Sequence, residues 1–237
     1  MGGVVGAVSG KFVLAAAGIL VASRVDHERV NALIDPSLAH TEISRALADR
    51  LEPRTPHAPG QTLTLRQGTM IGLGAKEFDA PGLTVGATHA PPGVDLVIGR
   101  DILEAERIDL DFVHRQLSLV TPGEYRAATR GRVHVPLTAV GPSLWRLTAK
   151  LDPGGVQDGI LDLASPDPLR VSASKPHPCP RIAFDSVWLD ETGCVVETSS
   201  SLSFRLGLRG FSNRHVLLDL AHQSAWILPS RARGNSR

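Results

Sequence analysis

Short runs in which apolar and polar residues alternate recur along this chain. They cover Ile19 to Val25, Val30 to Ile34, Thr62 to Arg66, Leu83 to Ala87, Asp95 to Ile98 and Ile108 to Leu119. Alternation of period two places one face of a strand against a core and the other toward solvent. One segment, Thr41 to Leu51, has a helical period instead. Ile43, Ala46, Leu47 and Leu51 share a face there, Thr41 stands where an N-cap is expected, and Pro53 stops the run. A single helical turn is expected at Arg100 to Glu106. Beyond Asp162, Pro166 and Pro168 exclude a comparable helix. The 23 glycines and 17 prolines are spread along the whole length, which favours many short strands. The expected class is all-β, mostly strand with one short helix.

The pattern also repeats. VIGRDILEAERIDLDFVHRQLSLV, ending at Val120, aligns with RLGLRGFSNRHVLLDLAHQSAWIL, ending at Leu228. Gly99, Leu110, Asp111 and His114 correspond to Gly207, Leu218, Asp219 and His222, every pair at the step that separates 99 from 207. Ile108, Leu110 and Phe112 answer Val216, Leu218 and Leu220. Upstream, the segment from Val21 resembles the one from Leu147. Both read as strand, tight turn, strand, and both close on two large aliphatics and an aspartate: Leu33-Ile34-Asp35 and Ile160-Leu161-Asp162. A tandem duplication accounts for both matches. It divides the chain into a first lobe over 1–122, a linker over 123–133, a second lobe over 134–229, and a disordered basic tail over 230–237.

The segment ALIDPSLAHTEIS around Asp35 resembles the active-site segment of retropepsin-like and pepsin-like aspartic peptidases, where an aspartate followed by Thr or Ser and Gly precedes a short helix. VIGRDIL is similar to the later Gly-Arg-Asn/Asp segment of that family. The resemblance spans both halves. It implies a two-lobed acid-protease-like fold with one catalytic aspartate per lobe, Asp35 and Asp162, brought together at the lobe junction. Two carboxylates held close share one proton. One then activates a water while the other hydrogen-bonds the scissile carbonyl. The implied activity is peptide-bond hydrolysis without a cofactor, on a peptide or protein substrate. A single chain carrying both lobes is expected to work as a monomer. The alternative is an inactive relative that binds extended peptides or a protein partner.

Departures from the family pattern keep that alternative open. Where the family has Thr or Ser after the aspartate, this chain has Pro36 and Leu163; where it has Gly, this chain has Ser37 and Ala164. Neither Pro36 nor Leu163 supplies the hydroxyl that crosses the junction. Ser37 still offers an N–H toward Asp35, on a loop expected to be displaced by the changes. The glycine-rich stretch Met70-Ile71-Gly72-Leu73-Gly74 resembles the tip of the family's substrate-covering flap, with glycines supplying hinge freedom. The second copy is shorter between aspartate and glycine, so a flap is expected in the first lobe only.

Composition narrows the remaining classes. Lys+Arg 25 against Asp+Glu 24 gives a formal charge of +1, which argues against a nucleic-acid-coating protein. Apolar residues make up 42%, enough for a core. No stretch reaches the length of a membrane span. The run from Phe12 to Ala22, preceded by Lys11, reads as a buried strand or as the apolar part of an export signal, and its flank has little positive charge. Cys179 and Cys194 would be free to pair in an exported protein; their spacing does not decide it. A zinc site from these two and His177 would lack a fourth ligand. Asp109 and Asp111 share one strand face and read as solvated. His114 and His222 suit a shared structural role. Gly72-Leu73-Gly74 lacks the further glycine and lysine of a nucleotide loop, and no Gly-x-Ser-x-Gly elbow occurs.

Overall fold

A computed structural model describes residues 9–15, 18–53, 59, 62–63, 69–73, 76–80, 83–86, 90–141, 143–165, 167–173, 178–189, 193–198 and 203–229. The expected tail over 230–237 and Gly74 lie outside these residues. The described residues are mostly strand, with three short α-helices and one 3-10 turn among them. Two compact units divide it: Met1–Ile108 with Arg115–Val120, and Asp109–His114 with Thr121–Arg237. Among the described residues, no helix is long and apolar enough to cross a membrane.

The first unit runs β1 (Ser9–Ala15), β2 (Gly18–Val25), β3 (Glu28–Ile34), β4 (Glu42–Ile43), α1 (Arg45–Leu51), β5 (Thr62–Leu63), β6 (Thr69–Leu73), β7 (Lys76–Ala80), β8 (Leu83–Val85), β9 (Leu96–Ile98), α2 (Arg100–Leu103), the first two residues of β10 (Arg107–Asp111), whose remainder belongs to the second unit, and β11 (Gln116–Val120). Within it the strand order is β11-β1-β2-β3-β9-β4-β8-β5, with the hairpin β6–β7 attached to β2. The apolar run from Phe12 is thus the inner part of an antiparallel hairpin, Phe12 facing Val21. Along β2, Ile19, Val21 and Val25 are buried. Ser23 shares their face, and its hydroxyl is satisfied by the Gly72 carbonyl at 2.7 Å.

Helix α1 starts later than Thr41. Ser44 is its N-cap: the hydroxyl accepts from the Leu47 N–H at 3.0 Å and donates to Asp95 Oδ1 at 2.7 Å. Thr41 has another task. Its N–H and hydroxyl both donate to the Asp101 carboxylate, at 2.8 and 2.7 Å, while its Oγ1 accepts from the Gly99 N–H at 3.1 Å. The expected cap is therefore a tie between the segment after Asp35 and the Gly99 segment. Leu47 and Ala48 then seat the helix in the core.

The second unit contains α3 (Tyr125–Thr129), β12 (Val133–Pro136), β13 (Thr138–Gly141), β14 (Leu144–Asp152), β15 (Gly155–Asp162), β16 (Leu169–Ala173), β17 (Arg181–Phe184), β18 (Val187–Trp188), β19 (Cys194–Thr198), β20 (Ser203–Gly207), a 3-10 turn (Leu208–Phe211), β21 (His215–Asp219) and β22 (Ser224–Leu228). Its main sheet is ordered β18-β17-β14-β15-β20-β16-β19, with β13 also on β14. Strand β14 shows how the sheet is driven together: Trp145, Leu147, Ala149 and Leu151 are buried, and the residues between them are exposed.

Each unit repeats one plan. A hairpin (β2–β3, β14–β15) delivers an aspartate. The aspartate-bearing strand pairs in parallel with a strand ending near a glycine (β9, β20). That strand pairs antiparallel with the next (β4, β16), which takes a parallel third partner (β8, β19). A further hairpin hangs on the first strand, β6–β7 on β2 and β17–β18 on β14. The second unit therefore carries a counterpart of the β6–β7 hairpin, where a hairpin was expected in the first lobe only. It is only shorter, turning at Asp185 and Ser186.

Candidate functional site

Asp35 follows β3 directly. Ala32, Leu33 and Ile34 pair with Leu96, Val97 and Ile98, and the Asp35 N–H extends this ladder to the Ile98 carbonyl at 3.1 Å. Its carboxylate Oδ1 accepts two bonds from Ser37, from the N–H at 2.9 Å and from the hydroxyl at 2.6 Å. The Leu38 N–H reaches the Asp35 carbonyl at 3.3 Å and closes the turn. Pro36 is buried and Ser37 exposed.

Asp162 is the last residue of β15, opposite Gly207 on β20. Its Oδ1 accepts from the Ala164 N–H at 3.1 Å, and the Ser165 N–H reaches its carbonyl at 3.1 Å. Asp35 makes the same two backbone bonds and adds a third, from the Ser37 hydroxyl. Neither Ser37 nor Ala164, which stand where the family pattern has Gly, has a positive φ. Leu163 is buried, and its N–H donates to the Ser143 carbonyl at 3.3 Å.

The two carboxylates differ in their second oxygen. Arg205 on β20 places Nη1 3.2 Å from Asp162 Oδ2. The side chain of Asp162 is 10% exposed and that of Arg205 48%. Val97, one full repeat step before Arg205, occupies the matching place in the first unit. There it packs with Leu33 and Val94, against partly buried Leu20, Leu38 and Ala90. Sequence reading did not single out Arg205. Its signal was available in the repeat alignment, where an arginine stands two residues before Gly207 and a valine two before Gly99.

Gly99 and Gly207 serve the aspartate loops by leaving space. Both have φ −90, which any residue adopts. A Cβ on Gly99 would lie 2.6 Å from the His40 carbonyl carbon and oxygen, and one on Gly207 would lie 2.2 Å from the Asp167 carbonyl oxygen. In each unit the loop after the aspartate crosses directly over this glycine.

The stretch Met70-Ile71-Gly72-Leu73 is the arm of a hairpin, not its tip. Ile71 and Leu73 are buried on β6, and Leu73 pairs with Lys76 next to the turn. Asp26, in the β2–β3 turn, fixes the start of the arm. Its N–H donates to the Met70 carbonyl at 2.8 Å, and its Oδ1 accepts from the Met70 N–H at 3.0 Å. Gly72 leaves room for Arg24, whose guanidinium passes over it to Glu77 Oε1 at 2.6 Å. The register, Val25 to Ile71 and Ser23 to Leu73, makes the hairpin advance along β2 toward the end where β3 delivers Asp35.

The remaining candidates prove structural. Asp109 and Asp111 are not a solvated face. Asp109 is 13% exposed and chelated by Arg132, Nη1 to Oδ1 at 2.7 Å and Nη2 to Oδ2 at 2.9 Å, with His215 Nε2 2.9 Å from Oδ2. Burial pushes its carboxyl up, but the hydrogen bonds and charges of His215 and Arg132 outweigh this and hold it below its ordinary value. Asp111 is also lowered, the His114 N–H and ring prevailing over burial. His114 and His222 lock equivalent turns: each Nδ1 lies 2.7 Å from the aspartate three residues earlier, and the next residue, Arg115 or Gln223, takes the left-handed conformation. Cys179 and Cys194 are joined as a disulfide, which removes them as zinc ligands; His177 lies outside the described residues.

No protein-family model matches this sequence, and no curated protein does. Among solved structures, the chain is similar to the basic 7S globulin from soybean. They share 9% sequence identity and a TM-score of 0.58, over 97% of this chain and 96% of that one. At this identity the likeness defines the fold alone: a two-lobed, all-β, acid-protease-like architecture.

Proposed function

We propose that this chain uses an acid-protease-like scaffold to bind extended peptide segments without cutting them. The observation that carries this reading is the contact of Arg205 with Asp162 Oδ2. Hydrolysis by paired aspartates requires carboxyl oxygens free to share a proton, hold a water and meet the scissile carbonyl. At Asp162 one oxygen is taken by a loop N–H and the other by a guanidinium. Peptide binding on this fold needs no free dyad. It needs exposed backbone edges and side-chain contacts along an extended strand. The partly buried Leu20 and Leu38, packed on the buried Leu33 and Val97, and a hairpin directed toward the end of β2 near Asp35 support that use.

A second reading, an aspartic endopeptidase with Asp35 and Asp162 as its dyad, is favoured by the matched loops, in which each carboxylate Oδ1 accepts from the N–H two residues on and each backbone carbonyl from the N–H three residues on. One experiment separates the two. A broad peptide library is incubated with the wild type, Asp35→Asn and Asp162→Asn from acidic to neutral pH, and both cleavage and retention are measured. Retention without cleavage is expected. Cleavage by the wild type that disappears in either variant would establish the peptidase instead.

A further inference from the structure

Arg205 belongs to a row. Arg146 on β14 faces Ile160 on β15, Ile160 faces Arg205 on β20, and Arg205 faces Arg170 on β16. Neighbouring strands are about 4.8 Å apart, so three guanidinium-bearing side chains cross four strands in one line. They line a cavity of about 380 Å³ together with Ile160, Asp158 and Glu197. The matching row of the first unit reads Leu20, Leu33, Val97 and Glu42. Three positions of one line are thus arginine in the second copy and not in the first.

Like charges facing each other across strands are unfavourable unless anions intervene. The structure shows what these arginines take. Arg205 holds the Asp162 carboxylate, and Arg170 holds two, Asp167 and Glu197. Among the described residues Arg146 forms no ion pair, and it is exposed. Glu197 is 46% exposed, so it is free to give way to an incoming carboxylate at Arg170. Arginine presents a planar fork matched to carboxylates.

Building on the peptide-binding reading, we infer that this row recognises carboxylates of the bound segment, so that the second unit selects acidic peptides. Arg146 is the open position, Arg170 the exchangeable one, and Ile160 the apolar floor between Arg146 and Arg205.

The test uses three short extended peptides of one sequence frame, titrated calorimetrically into the full chain. One carries several Glu and an amidated end, one carries Gln in their place with an amidated end, and one carries Gln with a free terminal carboxylate. The Glu peptide is expected to bind about tenfold tighter than its amidated Gln twin at low salt, the gap narrowing as salt rises. Arg146→Ala should remove most of the gap and Arg146→Glu should reverse it, with melting temperatures unchanged. A gain seen only with the free terminal carboxylate would support the site and assign its ligand to a chain end. Equal binding of all three peptides would overturn the inference and leave the peptide-binding reading standing, as would a Glu preference untouched by Arg146→Ala and Arg170→Ala. Failure of every peptide to bind would overturn the reading itself, and the inference with it.

Discussion

Arg205 is bound to Asp162 where the first unit has Val97 beside Leu33, so the two copies of one strand plan present a salt bridge in one case and an apolar contact in the other. Arg205→Val, which copies the first unit, leaves a nearly buried carboxylate without its cation. The expected loss of stability is about 1–2 kcal/mol, at the low end for a buried pair because Arg205 is half in solvent. Asp162→Asn should cost less in the Arg205→Val background than in the wild type. Urea denaturation of the four proteins of this cycle measures the coupling, and additive costs would show that the pair contributes nothing.

Gly99→Ala and Gly207→Ala are each expected to destabilise by about 2–3 kcal/mol, because a methyl would meet a loop carbonyl that is itself backbone and cannot swing aside. Gly123, which has nothing within 4 Å of its Cβ position, is the control, and Gly123→Ala should change little. Equal effects at all three positions, in thermal or urea unfolding, would mean that glycine's role here is chain freedom and not space.

Acid should release the Asp109 cluster. The folded-state carboxyl lies below its ordinary value of 3.8, so its contribution is fully present above that value and disappears as pH falls through the lower folded value. Asp109→Asn, which cannot titrate, is expected to cost about 3 kcal/mol at neutral pH, the scale for breaking a buried ion pair. Stability curves of the wild type and variant should run parallel above about pH 5 and converge in acid. A gap that widens on acidification would reverse the assignment.

Reduction should be felt in the second unit. Cys179 and Cys194 are separated by 15 residues, a loop whose closure is worth about 3 kcal/mol in the unfolded chain. Cys179→Ser with Cys194→Ser should lower the urea midpoint accordingly, and adding a reductant to the wild type should reproduce that shift. A wild type indifferent to reductant would show that the bond is not formed in solution.

The repeat made much of this fold readable before any coordinates. Gly99 and Gly207, or Leu33-Ile34-Asp35 and Ile160-Leu161-Asp162, recur because each member of a pair performs the same steric or hydrogen-bonding task in its own unit. What stayed hidden depended on contacts between strands distant in sequence. Arg205 reaches Asp162 only through the parallel register of β15 and β20, and Arg132 reaches Asp109 only once β10 is seated. Thr41 was misread for a related reason. Its hydroxyl suits a helix cap, but Asp101, sixty residues on, binds it in two places, and Ser44 takes the cap. Glycines at 72 and 74 suggested a mobile tip, because composition does not reveal that Ile71 and Leu73 lie on the buried face of an arm.

The Asp109–His114 segment precedes Thr121 in the chain yet belongs with the second unit. A polypeptide begun after Val120 would therefore lose the anion that Arg132 grips with a side chain only 5% exposed, leaving a guanidinium stranded away from water. The two units cannot be parted by one cut of the chain. An engineered product consisting of the second unit alone would have to carry its own copy of Asp109–His114.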